Sequence, residues 1–444
     1  MKSGNPVLNR LHSFVILTGL CLLIPASASQ AQSPKAEGGI FALTHATIVT
    51  ITKGTITDGT IIMVDGKIHT VGAGLQPPSE AKVIDCTGLY VYPGMIDSGT
   101  LLGVTEIGSD PRTQDHNELG EVIPQMRALA AVNPSSVIIP VTRINGVTTV
   151  LSMPTSGLFS GTAALINLHG YTADQLAAGF EGIVMNFPVS TRRNRFDQRT
   201  EEEINKEFEK AIRQLNDVWD KVKQYHTLDS ATHGQAGYYP ELQALLPVYR
   251  GEMTLMIEVE AAKDIRYALK WVEEKKIKKV VLMGVAEGWR AAEAIAKAGI
   301  PVITGPMFSL PTRAYDRYDK AYANAGLMKK AGVKVAIRTK ESENVRNLPY
   351  NAGFAAAYGL GKEEALRAVT IVPAEIFGVD DRLGSIEQGK NATLFVCDGD
   401  PFEPATQIKQ VFIDGWKIPL ESRQTLLYNE FLERQPGLEK AENK

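Results

Sequence analysis

An α/β fold of repeated strand–helix units, flanked by a small β module drawn from both chain ends, is the architecture this sequence predicts. Two observations carry it. Short, alternating, β-branched segments are confined to the stretches 41–91 and 383–418, whereas the long middle alternates apolar strands with amphipathic helices. A third is size: 444 residues exceed one ordinary domain, and 44% hydrophobic with 22% charged content is the make-up of a globular chain.

The first element is a leader. Lys2 and Arg10, an apolar run from Phe14 to Ile24, then Pro25 and small residues form the three parts of a secretory signal over residues 1–31, with cleavage after Ala28 or Ala31. Leu20 stands before Cys21, where lipid attachment wants a small residue, and the apolar run is short for a membrane span. The mature chain is therefore expected to be exported, periplasmic or secreted, with no membrane span.

Residues 38–93 read as the first part of the β module: ALTHATIVTI, GTIIMVD, a turn at Gly66-Lys67, IHTVGA, VIDCTG and LYVYPG. Residues 94–375 form the large domain. Within it Thr200 and Glu203 make a capping box, and Ile204, Phe208, Ile212, Leu215, Trp219 and Val222 follow at helical spacing, so that stripe is predicted core. Ile265, Ala268, Leu269 and Val272 make one face of a helix between the strands MIEVE and KKVVLMGV. The β texture returns over 376–420, where Gly384, Gly389 and Asp414-Gly415 punctuate GSIEQGKNATLFVCDGDP and IKQVFIDGWKI. The tail 421–444 reads as a surface helix with a frayed end.

A net charge of −3 with both signs interspersed leaves no footprint for nucleic acid. Past the leader only Cys86 and Cys397 remain, without zinc-site spacing; they read as two buried small hydrophobes or as one inter-strand disulfide.

LYVYPGMIDSGTLLG, preceded by VDGKIHTVGA and VIDCTG, is similar to the amidohydrolase superfamily, above all its imidazolonepropionase-like members, and GSIEQGKNATLFVCDGDP resembles that family's return to its small domain. The resemblance covers about 41–420. It implies a TIM (β/α)8-type barrel with a small β-sandwich built from both chain ends, and hydrolysis of carbon–nitrogen bonds other than peptide bonds. It further implies a divalent metal such as zinc as the default cofactor.

In such enzymes the first barrel strand ends in a His-x-His pair, because side chains two apart project inward together and grip the metal that activates water. Here Pro93, Gly94, Met95, Ile96 and Asp97 match, but the histidine positions hold Gly99 and Leu101. MIEVEAAKDI resembles the next ligand strand, placing Glu258 and Glu260 at its histidines; VLMGVAEGW places Met283 at another. VKVAIRTKES places Lys340 where a metal-binding aspartate is expected. The usual ligand positions are thus Gly99, Leu101, Glu258, Met283 and Lys340, so no cofactor is expected. The family's metal-bridging residue on the fourth strand has no evident counterpart.

Glu258 and Glu260 lie two apart and are expected to point inward at a strand's carboxyl end, as metal ligands, as acid and base or as ion-pair partners. Lys340 is the expected partner of Glu258, since a buried carboxylate without its metal requires another cation. Arg338 is a second cation, a candidate for the pocket mouth or else a surface residue, and with His116 and His169 it is a candidate substrate-binding residue. Catalysis, if retained, rests on Glu258, Glu260 and Lys340. Two functions follow: a metal-free hydrolase or pseudoenzyme that takes a small-molecule ligand, or a non-catalytic subunit partnering an active relative in a homo- or hetero-oligomer.

Overall fold

The computed structural model describes residues 35–192 and 197–434, and the predicted leader lies outside them. Everything below belongs to the compact unit Ala36–Lys444. Strands β1 (Phe41–Val49), β2 (Thr55–Val64), β3 (Lys67–Ala73), β4 (Lys82–Asp85) and β5 (Tyr90–Pro93) come first. The middle supplies β6 (Met95–Thr100), β7 (Val147–Ser152), β8 (Phe159–Asn167), β9 (Ala177–Asn186), β10 (Thr254–Val259), β11 (Val280–Gly284), β12 (Val302–Thr304) and β13 (Val335–Ile337). β14 (Leu394–Cys397), β15 (Ile408–Ile413) and β16 (Trp416–Ile418) follow.

Strands β6 to β13 form one sheet in sequence order. It curls into a nearly closed barrel whose seam is stitched by the Lys340 amide to the Gly99 carbonyl and the Leu101 amide to the Glu341 carbonyl, both at 2.9 Å. Every strand sends apolar side chains inward, among them Ile96, Leu151, Leu165, Val184, Met256, Val281, Ile303 and Ala336, so the interior is packed. One strand departs from an all-parallel barrel: β8 runs antiparallel to both β7 and β9. Segments 153–158 and 168–176 are shorter than the dozen or so residues a parallel crossover needs, so the chain doubles back as hairpins.

The second sheet joins the two chain ends. Its order is β16-β15-β14-β5-β1-β2-β3, with β4 also paired to β1, and the antiparallel β14–β5 ladder from Leu394–Pro93 to Cys397–Tyr90 ties late chain to early. Phe41, Leu43, Ile61, Met63, Leu394, Val396 and Phe412 form its core. Its strands make one hydrogen-bonded sheet. Cys86 and Cys397 are both buried and unpaired, and burial pushes their thiols up to about 11 and about 12, which leaves them unreactive.

The capping box of Thr200 and Glu203 starts a helix, Glu201–Ala231, that buries Ile204, Leu215, Trp219 and Val222. The helix Ala262–Lys275 buries Ile265, Ala268 and Val272 behind β10. The tail carries the helix Arg423–Arg434. Among the described residues no helix is long and apolar enough to cross a membrane.

Candidate functional site

The carboxyl ends of the barrel strands gather the chemistry. Glu258, near the end of β10, stands in register with Asn186 on β9 and Met283 on β11. Asn186 therefore occupies the end of the fourth barrel strand, the position that sequence reasoning left unfilled. Its amide donates to the Gly157 carbonyl at 2.7 Å and to Ser160 Oγ at 3.0 Å. The signal was a polar residue ending the apolar run GIVMN.

Glu258 is saturated with cations. Arg338 Nη1 and Nη2 donate to its two oxygens at 2.8 and 2.6 Å, and Lys340 Nζ donates to Oε1 at 2.6 Å. Burial alone would raise this carboxyl, but the charges and hydrogen bonds of Arg338 and Lys340 hold it down to about 2. A fork-to-fork guanidinium–carboxylate pair fixes geometry as well as charge.

Arg338 is not at the pocket mouth. Its side chain is 0% exposed, inside the barrel, because strand alternation puts Ala336, Arg338 and Lys340 on one face with Arg338 a pleat deeper. Burial works against its charge, yet Glu258 raises the guanidinium above its usual value. The arginine stem occupies the space a histidine would need at Gly99: a Cβ there would lie 2.8 Å from Met153 Sδ, 2.9 Å from Arg338 Cδ and 3.3 Å from Met283 Cε. Gly99→His is expected to destabilise the fold by about 1–3 kcal/mol or more through overpacking, read from the midpoint of urea unfolding. An unchanged midpoint would mean this space is not filled.

Asp97 closes the seam from below. Its buried carboxylate accepts from Thr339 N at 3.1 Å, Thr339 Oγ1 at 2.6 Å and Gly99 N at 3.1 Å. Desolvation outweighs those bonds and Arg338's charge, and pushes the group up to about 7.

Glu260 sits just past β10 with 47% of its side chain exposed, 3.6 Å from Lys340 Nζ. It accepts from Ala286 N at 3.1 Å. The protein packed around its carboxylate, and then the charge of Glu258, raise it above the usual range. Lys340 is half-exposed and holds a left-handed backbone, φ 58°, as does the β-branched Val285 at φ 52°. Such strain collects where a mouth residue is forced into place by its surroundings.

Sequence reasoning passed over Glu287. This buried carboxylate accepts from Ala262 N at 2.9 Å, Thr312 Oγ1 at 3.0 Å and Arg313 Nη2 at 2.7 Å, anchoring the loop after β12 beside Glu260. A lone acid in the apolar stretch VAEGW was the clue.

Two predicted pocket histidines are elsewhere. His169 follows β8, and because β8 is antiparallel its end lies at the opposite rim, where the ring meets Trp416 at 5.8 Å. His116 lies in the loop after β6, half-buried, 2.8 Å from Thr105 Oγ1, and burial lowers its pKa. Neither lines either of the two cavities that flank Glu258 and Glu260.

Two small cavities flank Glu258, Lys340 and Glu260. One, about 170 Å³, is lined by Gly99, Leu101, Met153, Pro154, Val184, Asn186, Glu258 and Lys340; the other, about 260 Å³, includes Glu260, Trp289 and Asn324. A cleft of about 1090 Å³ opens at the far rim by Thr254, Lys279, Val280 and Pro301, where barrels carry stability rather than chemistry. Among the described residues no group of three or more His, Cys, Asp or Glu is placed to hold a metal. The donor set at the family's ligand positions, a cation-saturated carboxylate, a second carboxylate beside an ammonium, a thioether, a glycine and a leucine, does not fit a divalent ion.

The barrel, the two-ended sheet and the site at the strand ends define a class, and the comparison with known families agrees. The chain belongs to the amidohydrolase family, whose model matches residues 142–417. An amidohydrolase of Thermotoga maritima MSB8 superposes with a TM-score of 0.74 at 25% identity, over 85% of this chain and 99% of that one. Amidohydrolase tasK of Hapsidospora irregularis is 23% identical over 398 residues, 80% of this chain and 39% of its own length. Imidazolonepropionase of Picrophilus torridus is 31% identical over 118 residues, 24% of this chain and 30% of its own. The chain thus spans well under half the length of these curated relatives.

Proposed function

We propose that this is an exported, metal-free amidohydrolase-fold protein that binds a small molecule at its barrel mouth and does not perform the metal-dependent hydrolysis of carbon–nitrogen bonds. One observation carries the reading. The Arg338 guanidinium, locked on both oxygens of Glu258, fills the space over Gly99 and supplies the positive charge that a cation would bring to these strand ends. A metal-free hydrolysis is less well supported: a carboxylate held at about 2 is a poor general base at neutral pH, and Lys340 is committed to it. Export rests on the leader's three-part composition.

Elemental analysis of the dialysed protein tests the reading. Less than about a tenth of an equivalent of transition metal per chain is expected, beside a relative with an intact His-x-His strand that retains a full complement. One or two equivalents bound here would overturn it.

A further inference from the structure

The barrel mouth presents two opposite charges with unused capacity. The Lys340 ammonium spends one of its three donors on Glu258 Oε1 at 2.6 Å and, with its side chain 45% exposed, keeps the others for its outer side. Glu260, 47% exposed, stands 3.6 Å from that ammonium. At that separation the two attract but do not hydrogen-bond, so each still has a vacant direction toward solvent.

Directly beside Lys340 lies the cavity of about 170 Å³, whose walls are chiefly Leu101, Met153, Pro154 and Val184. An apolar cavity of roughly 150 Å³ holds a benzene ring, so a mid-sized aliphatic group has room here. That suits an isobutyl or methylthioethyl side chain.

We infer that the mouth binds a free α-amino acid with a mid-sized aliphatic side chain: its carboxylate on Lys340, its ammonium on Glu260, and its side chain between Leu101, Met153, Pro154 and Val184. Ligand and protein charges then alternate around a ring of four, with no charge left unpaired. An α-amino acid carries its ammonium and carboxylate on one carbon, so a single molecule can reach both Lys340 and Glu260, which lie 3.6 Å apart. A simple anion would leave Glu260 repelling it, and a simple amine would meet Lys340.

This rests on the metal-free reading above, so the test uses protein whose metal content has been measured. Titration calorimetry and thermal shift with L-leucine are expected to show one saturable site. 4-Methylpentanoate and 3-methylbutylamine, each lacking one charge, are expected to bind at least about tenfold more weakly. K340M and E260Q are each expected to weaken L-leucine about tenfold or more, with unliganded melting curves reporting that they remain folded. The inference is overturned if metal-free protein ignores L-leucine, if 4-methylpentanoate binds as well, or if both variants bind like the parent. Protein that carries stoichiometric metal would instead overturn the reading beneath it.

Discussion

Arg338→Met is expected to lower the stability of the barrel by about 3–5 kcal/mol, because it strands the Glu258 carboxylate in the barrel with only Lys340 to pair it. A urea titration followed by tryptophan fluorescence measures the loss. Glu258→Met strands the guanidinium instead and is expected to cost a similar amount. The double replacement removes both charges, and should be less damaging than either single change, since apolar groups of similar volume can replace a buried ion pair at little cost. Additive losses would show that the two side chains do not act as a pair.

The second large effect is one of pH. Asp97 is raised from 3.8 to about 7, so between those values the folded chain holds a proton that the unfolded chain has released. Stability from this group is fully present below about pH 4 and declines as pH rises toward 7, with a slope of about 1.4 kcal/mol per pH unit for one proton. Glu258 works in the opposite sense: held down to about 2, it contributes stability above the usual carboxylate range that is lost as pH falls toward 2. The parent protein is therefore expected to lose stability from about pH 5 to 7, and Asp97→Asn to lose distinctly less across that interval, the remaining slope coming from Glu260 and Asp264, both raised by burial. Parallel curves for the two proteins would refute the assignment.

The fold was legible where local chemistry has one solution. β-branched alternation at both chain ends, and Thr200 with Glu203 ahead of a helical apolar stripe, led to the elements the structure contains. The direction of β8 was not legible from its residues, since an apolar strand reads alike both ways; only the shortness of 153–158 and 168–176 betrays it. That single reversal also carried His169 away from the mouth. At the site, strand-by-strand comparison brought out Glu258 and Lys340, which meet at 2.6 Å. Taken position by position, Arg338 reads as a mouth residue, yet the two-residue period that turns Lys340 inward turns Arg338 inward as well. Asp97 and Glu287 act through backbone amides and loop contacts across more than twenty residues of sequence, which no spacing rule anticipates.

If Arg338 stands in for the metal, as proposed, it alters how the barrel is completed after synthesis. A metalloprotein leaves the ribosome as an empty form and must acquire its ion, so its folding is tied to supply, pH and competing chelators. Here the cation is covalently part of the strand it braces, and translation alone delivers it in a one-to-one ratio with the Glu258 it neutralises. On the metal-free reading proposed above, the barrel has no empty form to be loaded and none to be stripped.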